Sequence, residues 1–193
     1  MPENTAREEE ERRLVARIVR RETAALERLY HGLRPRLRRF LLAMGCPEPE
    51  LDEACNETFY VVWRRAASYD GISRVSTWIF GIARNKAMDL RRQQRRRAAT
   101  RAETSLDEVP EPRLAEADRL ELQQWLEVAL ARLPEDQRTV LELAFIEGLS
   151  YQEIAAVMDC PENTVKTRMF HARRKLKHGF PEFANGRHTR NAG

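Results

Sequence analysis

The sequence predicts an all-α protein: two helical domains joined by a flexible acidic linker, the C-terminal one a helix-turn-helix. Three observations lead there. Apolar residues recur at helical 3,4 spacing through most of the 193 residues. No stretch alternates as a half-buried strand would. Between the helical segments, residues 98–118 carry Pro110 and Pro112, six acids against two arginines, and little periodicity, which reads as a linker.

A first helix is expected from about Glu8 to Arg20, with Leu14 and Ile18 inward. A second, Ala24 to Met44, carries Leu26, Leu29, Tyr30, Leu33, Leu37, Phe40 and Leu41 on one side, and Pro35 is expected to kink or split it. Gly45-Cys46-Pro47 ends it. The third runs from Pro49 to about Ala67, burying Leu51, Cys55, Thr58, Phe59 and Val62 and turning Asp52, Glu53, Asn56 and Glu57 outward. After a loop at Tyr69-Asp70-Gly71, a fourth helix runs from Ser76 to about Arg97 on Ile79, Ile82, Ala83, Ala87 and Leu90. The expected boundaries are a first domain at 10–97, a linker at 98–118, a second domain at 119–178 and a tail at 179–193.

Charge is uneven. Residues 1–11 hold five Glu against one Arg, residues 84–97 seven Arg or Lys against Asp89, and residues 164–178 six Arg or Lys with no acid. Two basic blocks flanking an acidic one suit two contacts with a polyanion, although a single charge run is as readily a solvated helix face. No run of 18 apolar residues is present, and the polar, acidic N-terminus does not resemble a signal peptide. A cytoplasmic protein without membrane insertion is therefore expected. Cys46, Cys55 and Cys160 fit no zinc or CxxC spacing. Cys55 reads as a small buried hydrophobe, and Cys46 and Cys160 as thiols in surface turns. Four His and three Cys form no triad or ligand cluster, so neither catalysis, metal, cofactor nor small-molecule substrate is expected.

The C-terminal segment is the most informative. Leu133-Pro134-Glu135-Asp136 opens a helix with Val140, Leu141, Ala144 and Phe145 as its core face, and Gly148 suits the left-handed residue after it. Ser150-Tyr151-Gln152-Glu153 fits a capping box before a short helix carrying Ile154, Ala155, Val157 and Met158. Asp159-Cys160-Pro161 turns the chain. The last helix buries Val165, Met169, Ala172 and Leu176. Such a pair sets one helix across the DNA backbone and the next into the major groove. Lys166, Thr167 and Arg168, in the N-terminal half, are the expected base contacts, with His171 a further candidate. Arg173, Arg174 and Lys177 suit phosphates.

Leu133-Pro134 with Arg138, then Gly148-Leu149-Ser150-Tyr151-Gln152-Glu153-Ile154-Ala155, then Thr164-Val165-Lys166-Thr167-Arg168 and Ala172-Arg173, resemble region 4 of the extracytoplasmic function (ECF) sigma factors of the sigma-70 family. Glu57-Thr58-Phe59 with Trp63 resembles region 2.2. Thr77-Trp78-Ile79-Phe80 with Ile82-Ala83-Arg84-Asn85 and Asp89 resembles regions 2.3 and 2.4. Order and spacing agree over roughly residues 10–178.

The resemblance implies a transcription initiation factor that joins core RNA polymerase and directs it to promoter DNA, reading the −35 element with the second domain and the −10 element with the first. Asp52, Glu53, Asn56 and Glu57 would meet the polymerase clamp; Asn56 departs from the more usual Gln and shortens that reach. Tyr69, Arg74, Arg84, Asn85, Lys86, Arg91 and Arg92 would bind the −10 strand. Asn85 and the loop at 69–76 would hold a flipped base, and Arg91, Arg92, Arg95, Arg96 and Arg97 would grip phosphates. Trp78 reads as core, while Phe80 reads equally as core or stacking surface. Glu103, Asp107, Glu108 and Glu111 of the linker would imitate a phosphate chain in a polymerase channel. An anti-sigma factor is the implied regulator. The rivals are a two-domain activator, which would need another sigma factor, and a helical adaptor, which would need no basic recognition helix.

Overall fold

The computed structural model describes residues 2–100 and 129–179, and within them every regular element is helical. Four helices build the first half: α1 (Pro2–Val19), α2 (Thr23–Ala43), α3 (Leu51–Arg65) and α4 (Val75–Thr100). In the second half the described residues include a helical stretch at 129–131 and the helices α5 (Glu135–Leu141), α6 (Tyr151–Met158) and α7 (Glu162–Gly179). The acids Glu103, Asp107, Glu108 and Glu111, the linker around them and the tail beyond 179 lie outside the described residues. None of the described helices is long and apolar enough to cross a membrane.

The apolar stripes do what their spacing requires. Ile18, Leu29, Leu33, Leu37, Phe40, Cys55, Val62, Ile79, Phe80 and Ala83 are sealed from solvent between the first four helices. Each buried Leu or Ile contributes on the order of 2 kcal/mol. Pro35 does not break α2, which runs unbroken past it. Pro35 and His31, the residue whose carbonyl loses its helical donor, both sit on the exposed face, open to solvent. Leu33 and Leu37 meanwhile keep the inner face packed.

The cysteine expectation needs one correction. Cys46 is buried, at 3% exposure, rather than a surface thiol. Gly45 takes φ +78, and the Cys46 amide then donates back to the Leu41 carbonyl at 3.0 Å. That left-handed closure of α2 folds the turn under the helices. A Cβ at Gly45 would also collide with the Glu135 carboxylate.

The two halves pack against each other. Helix α4 lies along α6, and α2 meets both α5 and the turn that follows it, so the buried residues form one continuous cluster. Arg138 Nε donates to the Ala43 carbonyl at 3.2 Å. Ion pairs join Arg39 to Glu142 at 3.1 Å, Arg74 to Glu153 at 3.1 Å and Arg91 to Glu135 at 2.5 Å.

Candidate nucleic-acid interface

The helix-turn-helix is assembled by local devices. Residues 142–146 wind as a single π-helical turn after α5. Gly148 then takes φ +64, where a side chain would be strained. The Ser150 hydroxyl accepts from the Glu153 amide at 3.2 Å, while the Ser150 amide donates to the Glu153 carboxylate at 2.7 Å. This capping box starts α6, and such a cap contributes about 1 kcal/mol. Asp159 ends α6 in the left-handed region, φ 48, and so sets the angle at which α7 departs. Val165, Met169 and Ala172 of α7 are buried.

The π turn overturns one expectation. Phe145 is 63% exposed rather than part of the core face. One extra residue in the turn shifts the helical register. Leu143 goes fully inside, Phe145 swings out beneath the Arg173 guanidinium at 5.5 Å, and Glu147 is carried into the interior.

The candidate base contacts on α7 divide into two groups. Lys166 and Thr167 are exposed. Lys166 Nζ rests 2.8 Å from Glu162, and Thr167 Oγ1 donates to the Asn163 carbonyl at 2.9 Å. Arg168 is half-buried and turns back toward α5, 2.7 Å from Asp136 and 3.7 Å from the Cys160 sulfur. His171 is half-buried beside Phe170, ring centres 5.5 Å apart. Arg173, Arg174 and Lys177 are exposed along the outer side, with Arg174 stacked over Phe170 at 5.8 Å.

On α4 and the loop before it, the candidates also divide. The Tyr69 hydroxyl donates to the Ser73 carbonyl at 2.5 Å, and its ring lies 5.3 Å from Trp78. Both rings pack on the core edge and brace the loop. Phe80, read two ways in the sequence, is fully buried 5.1 Å from Phe40. Asn85 and Arg92 are exposed, and Lys86 pairs with Glu57 at 3.0 Å. Arg74, Arg84 and Arg91 point to the second half of the chain instead. Arg84 lies 3.7 Å from Asp159. Arg95 and Arg97 side chains lie outside the described residues.

Beside Asn85 and Lys86 opens a cleft of 610 Å³, walled also by Tyr60, Arg64, Arg65 and Ile82. Its size and its mix of aromatic and cationic groups suit an unstacked base and its phosphate. Tyr60 and Arg64 were missed in the sequence. The signal was present as an exposed aromatic four residues before a basic one, and Arg64 lies 5.9 Å over the Tyr60 ring.

The acidic face of α3 is less open than spacing suggests. Asp52 is held by Arg38 and, at 2.9 Å, by Arg34. Asn56 Oδ1 accepts from the Tyr30 hydroxyl at 2.9 Å. Glu53 is exposed and, with Glu57, edges a second cleft shared with Asp89, Arg92 and Arg96.

Comparison with known proteins agrees with this arrangement. Residues 29–97 match the family model for sigma-70 region 2, and residues 123–176 that for sigma-70 region 4. The chain is 34% identical over 153 residues to the ECF RNA polymerase sigma factor RpoE of Cereibacter sphaeroides, covering 77% of this chain and 82% of that one. It is 35% identical over 150 residues to the ECF RNA polymerase sigma-E factor of Escherichia coli K12, covering 70% and 76%. Among solved structures, CnrH in complex with the cytosolic domain of CnrY superposes with a TM-score of 0.63 at 28% identity, over 89% of this chain and 97% of that one. The sigma factor RpoE of Bartonella quintana, crystallised with the anti-sigma factor NepR, gives 0.64 at 25% identity, over 81% and 96%.

Proposed function

The chain belongs to the ECF sigma factors of the sigma-70 family, and we propose how its two halves share the work of such a factor. It is a transcription initiation factor rather than an enzyme: it binds core RNA polymerase and directs it to promoters. Helix α7 reads the −35 duplex, with Lys166 and Thr167 reaching base edges and Arg173, Arg174 and Lys177 fixing register on phosphates. Arg168 and His171 join them once Arg168 leaves Asp136. The −10 strand runs along α4, with Asn85 and Lys86 at the cleft that Tyr60 and Arg64 complete, Tyr69 bracing the loop beside it, and Arg74, Arg84, Arg91 and Arg92 on the phosphates. Glu53, Glu57, Asp52 and Asn56 form the polymerase-docking edge of α3. Domain limits at 10–97 and 119–178, joined through 98–118, follow from this division.

The observation that carries the reading is the capped turn that leaves Lys166 and Thr167 exposed at the start of a basic helix. An anti-sigma factor is proposed as the regulator, since the sigma factor RpoE of Bartonella quintana was crystallised with one. The cytoplasm is its proposed location, because polymerase and promoter are there. Promoters selected from a random library by core polymerase loaded with this protein test the function. Transcription from the selected fragments with the loaded enzyme, and none with core alone, is expected. A requirement for another sigma factor would refute it.

A further inference from the structure

Resting on the −10 reading above, we propose that Ile72 is an apolar wedge that fills the base stack when a promoter base is drawn out, and that Arg12 of α1 positions it. Ile72 is 86% exposed, more than any other large hydrophobic among the described residues. It stands in the loop between Tyr69 and Arg74, where its neighbours Asp70, Gly71 and Ser73 are ordinary turn residues. A β-branched side chain at that place serves neither the turn nor the core. It is also stiff about its first torsion.

The loop is held from several sides. The Tyr69 hydroxyl closes it on the Ser73 carbonyl, and Asp70 Oδ1 accepts from the Ile72 amide at 2.9 Å. Gly71 takes φ +76, and its carbonyl accepts from Arg12 Nη1 of α1 at 2.8 Å. Glu8, one turn earlier on α1, accepts from Arg12 at 3.1 Å and lies 3.6 Å from Arg74. Helix α1 therefore grips the loop on both sides of Ile72, through Gly71 and through Arg74, and leaves the isoleucine side chain in solvent. Drawing a base into the cleft beside Asn85 breaks its stacking, which is a main cost of extruding it. Apolar side chains, isoleucine among them, enter such base steps and hold them unstacked. A stiff side chain on a loop already fixed by α1 loses little freedom on insertion, so less of the contact is spent on ordering.

The test loads core polymerase with the full chain and uses a promoter selected as above, carrying 2-aminopurine at each −10 position in turn. Ile72→Ser should slow the fluorescence rise that reports unstacking by about tenfold, while Ile72→Met stays near wild type. On the same promoter with the −10 segment left unpaired, Ile72→Ser should transcribe as wild type does. Arg12→Ala should slow opening to a similar degree, and the Arg12→Ala, Ile72→Ser double variant no further than Ile72→Ser alone. Arg13→Ala, an equal charge change on the exposed side of α1, should leave opening unchanged. Normal opening with Ile72→Ser, or a defect that persists on the unpaired template, overturns the wedge. Additive losses in the double variant, or a loss with Arg13→Ala as large as with Arg12→Ala, overturn the positioning role of Arg12. Asn85→Ala, read by binding of the loaded polymerase to a single-stranded −10 oligonucleotide, separates the two levels. Weakened binding there together with normal opening by Ile72→Ser removes the wedge and leaves the −10 assignment standing. Undiminished binding by Asn85→Ala removes that assignment, and the wedge falls with it.

Discussion

Arg36 of α2 and Glu147, just past the π turn, form an ion pair buried on both sides: the Glu147 side chain is 0% exposed and that of Arg36 11%. Arg36 also holds Glu11 of α1 at 3.1 Å, so one guanidinium ties α1, α2 and the second half together. The second Glu147 oxygen has no hydrogen-bond partner and only Arg39, at 3.7 Å, nearby. Truncating one member of such a cluster leaves buried charge uncompensated. Arg36→Ala should lower unfolding free energy by about 3 kcal/mol in urea titrations. A loss under about 1 kcal/mol would show the cluster to be solvated.

Burial raises the carboxyls of Glu11 and Glu142 above their ordinary value, Glu142 against the opposing pull of its hydrogen bond from Arg39. A raised folded value means stability is fully present below the unfolded value of about 4.5 and is lost as pH rises through the folded one. Glu142→Gln has no such loss. Its stability relative to wild type should therefore be greater at neutral pH than at about pH 4. Urea unfolding of both proteins at the two pH values checks the sign, and a difference that shrinks toward neutrality would contradict it.

The capping box makes a local prediction. Ser150→Ala should cost about 1 kcal/mol and lower Tm by a few degrees, whereas Ser150→Asp should keep most of the stability. Equal losses would mean that packing, not the cap, starts α6.

Thiol reactivity should separate the cysteines. Burial pushes the Cys46 and Cys55 thiols up to about 11, and both are closed to solvent. Iodoacetamide on native protein should alkylate Cys160 alone, read by intact mass and peptide mapping. Early labelling of Cys46 would show that the turn after α2 opens readily.

On DNA, Lys166→Ala should change base preference at the −35 element by about 1–3 kcal/mol. Arg174→Ala should weaken all sequences alike and reduce the salt slope by about one. Asp136→Asn, by releasing Arg168, should strengthen −35 binding. Indistinguishable profiles for the first two variants would refute the division between base and phosphate contacts.

The sequence by itself determined the helices, the buried stripes from Leu29 to Phe40 and from Val165 to Ala172, the capping box at Ser150 and the turn at Gly148. These depend on 3.6-residue periodicity and on hydrogen bonds spanning a few residues, both of which are written locally. The cleft beside Asn85 was half legible: Asn85 and Lys86 were singled out, but Tyr60 and Arg64 come from another helix. Only the tertiary structure decided that Phe145 faces out and Glu147 in, because one extra residue in a π turn leaves no periodic mark. It alone decided that Cys46 is buried, and that Arg74, Arg84 and Arg91 meet acids more than forty positions away. Composition shows that arginines and carboxylates are plentiful. Which of them meet is chosen by how α4 packs on α6, and no local pattern records that choice.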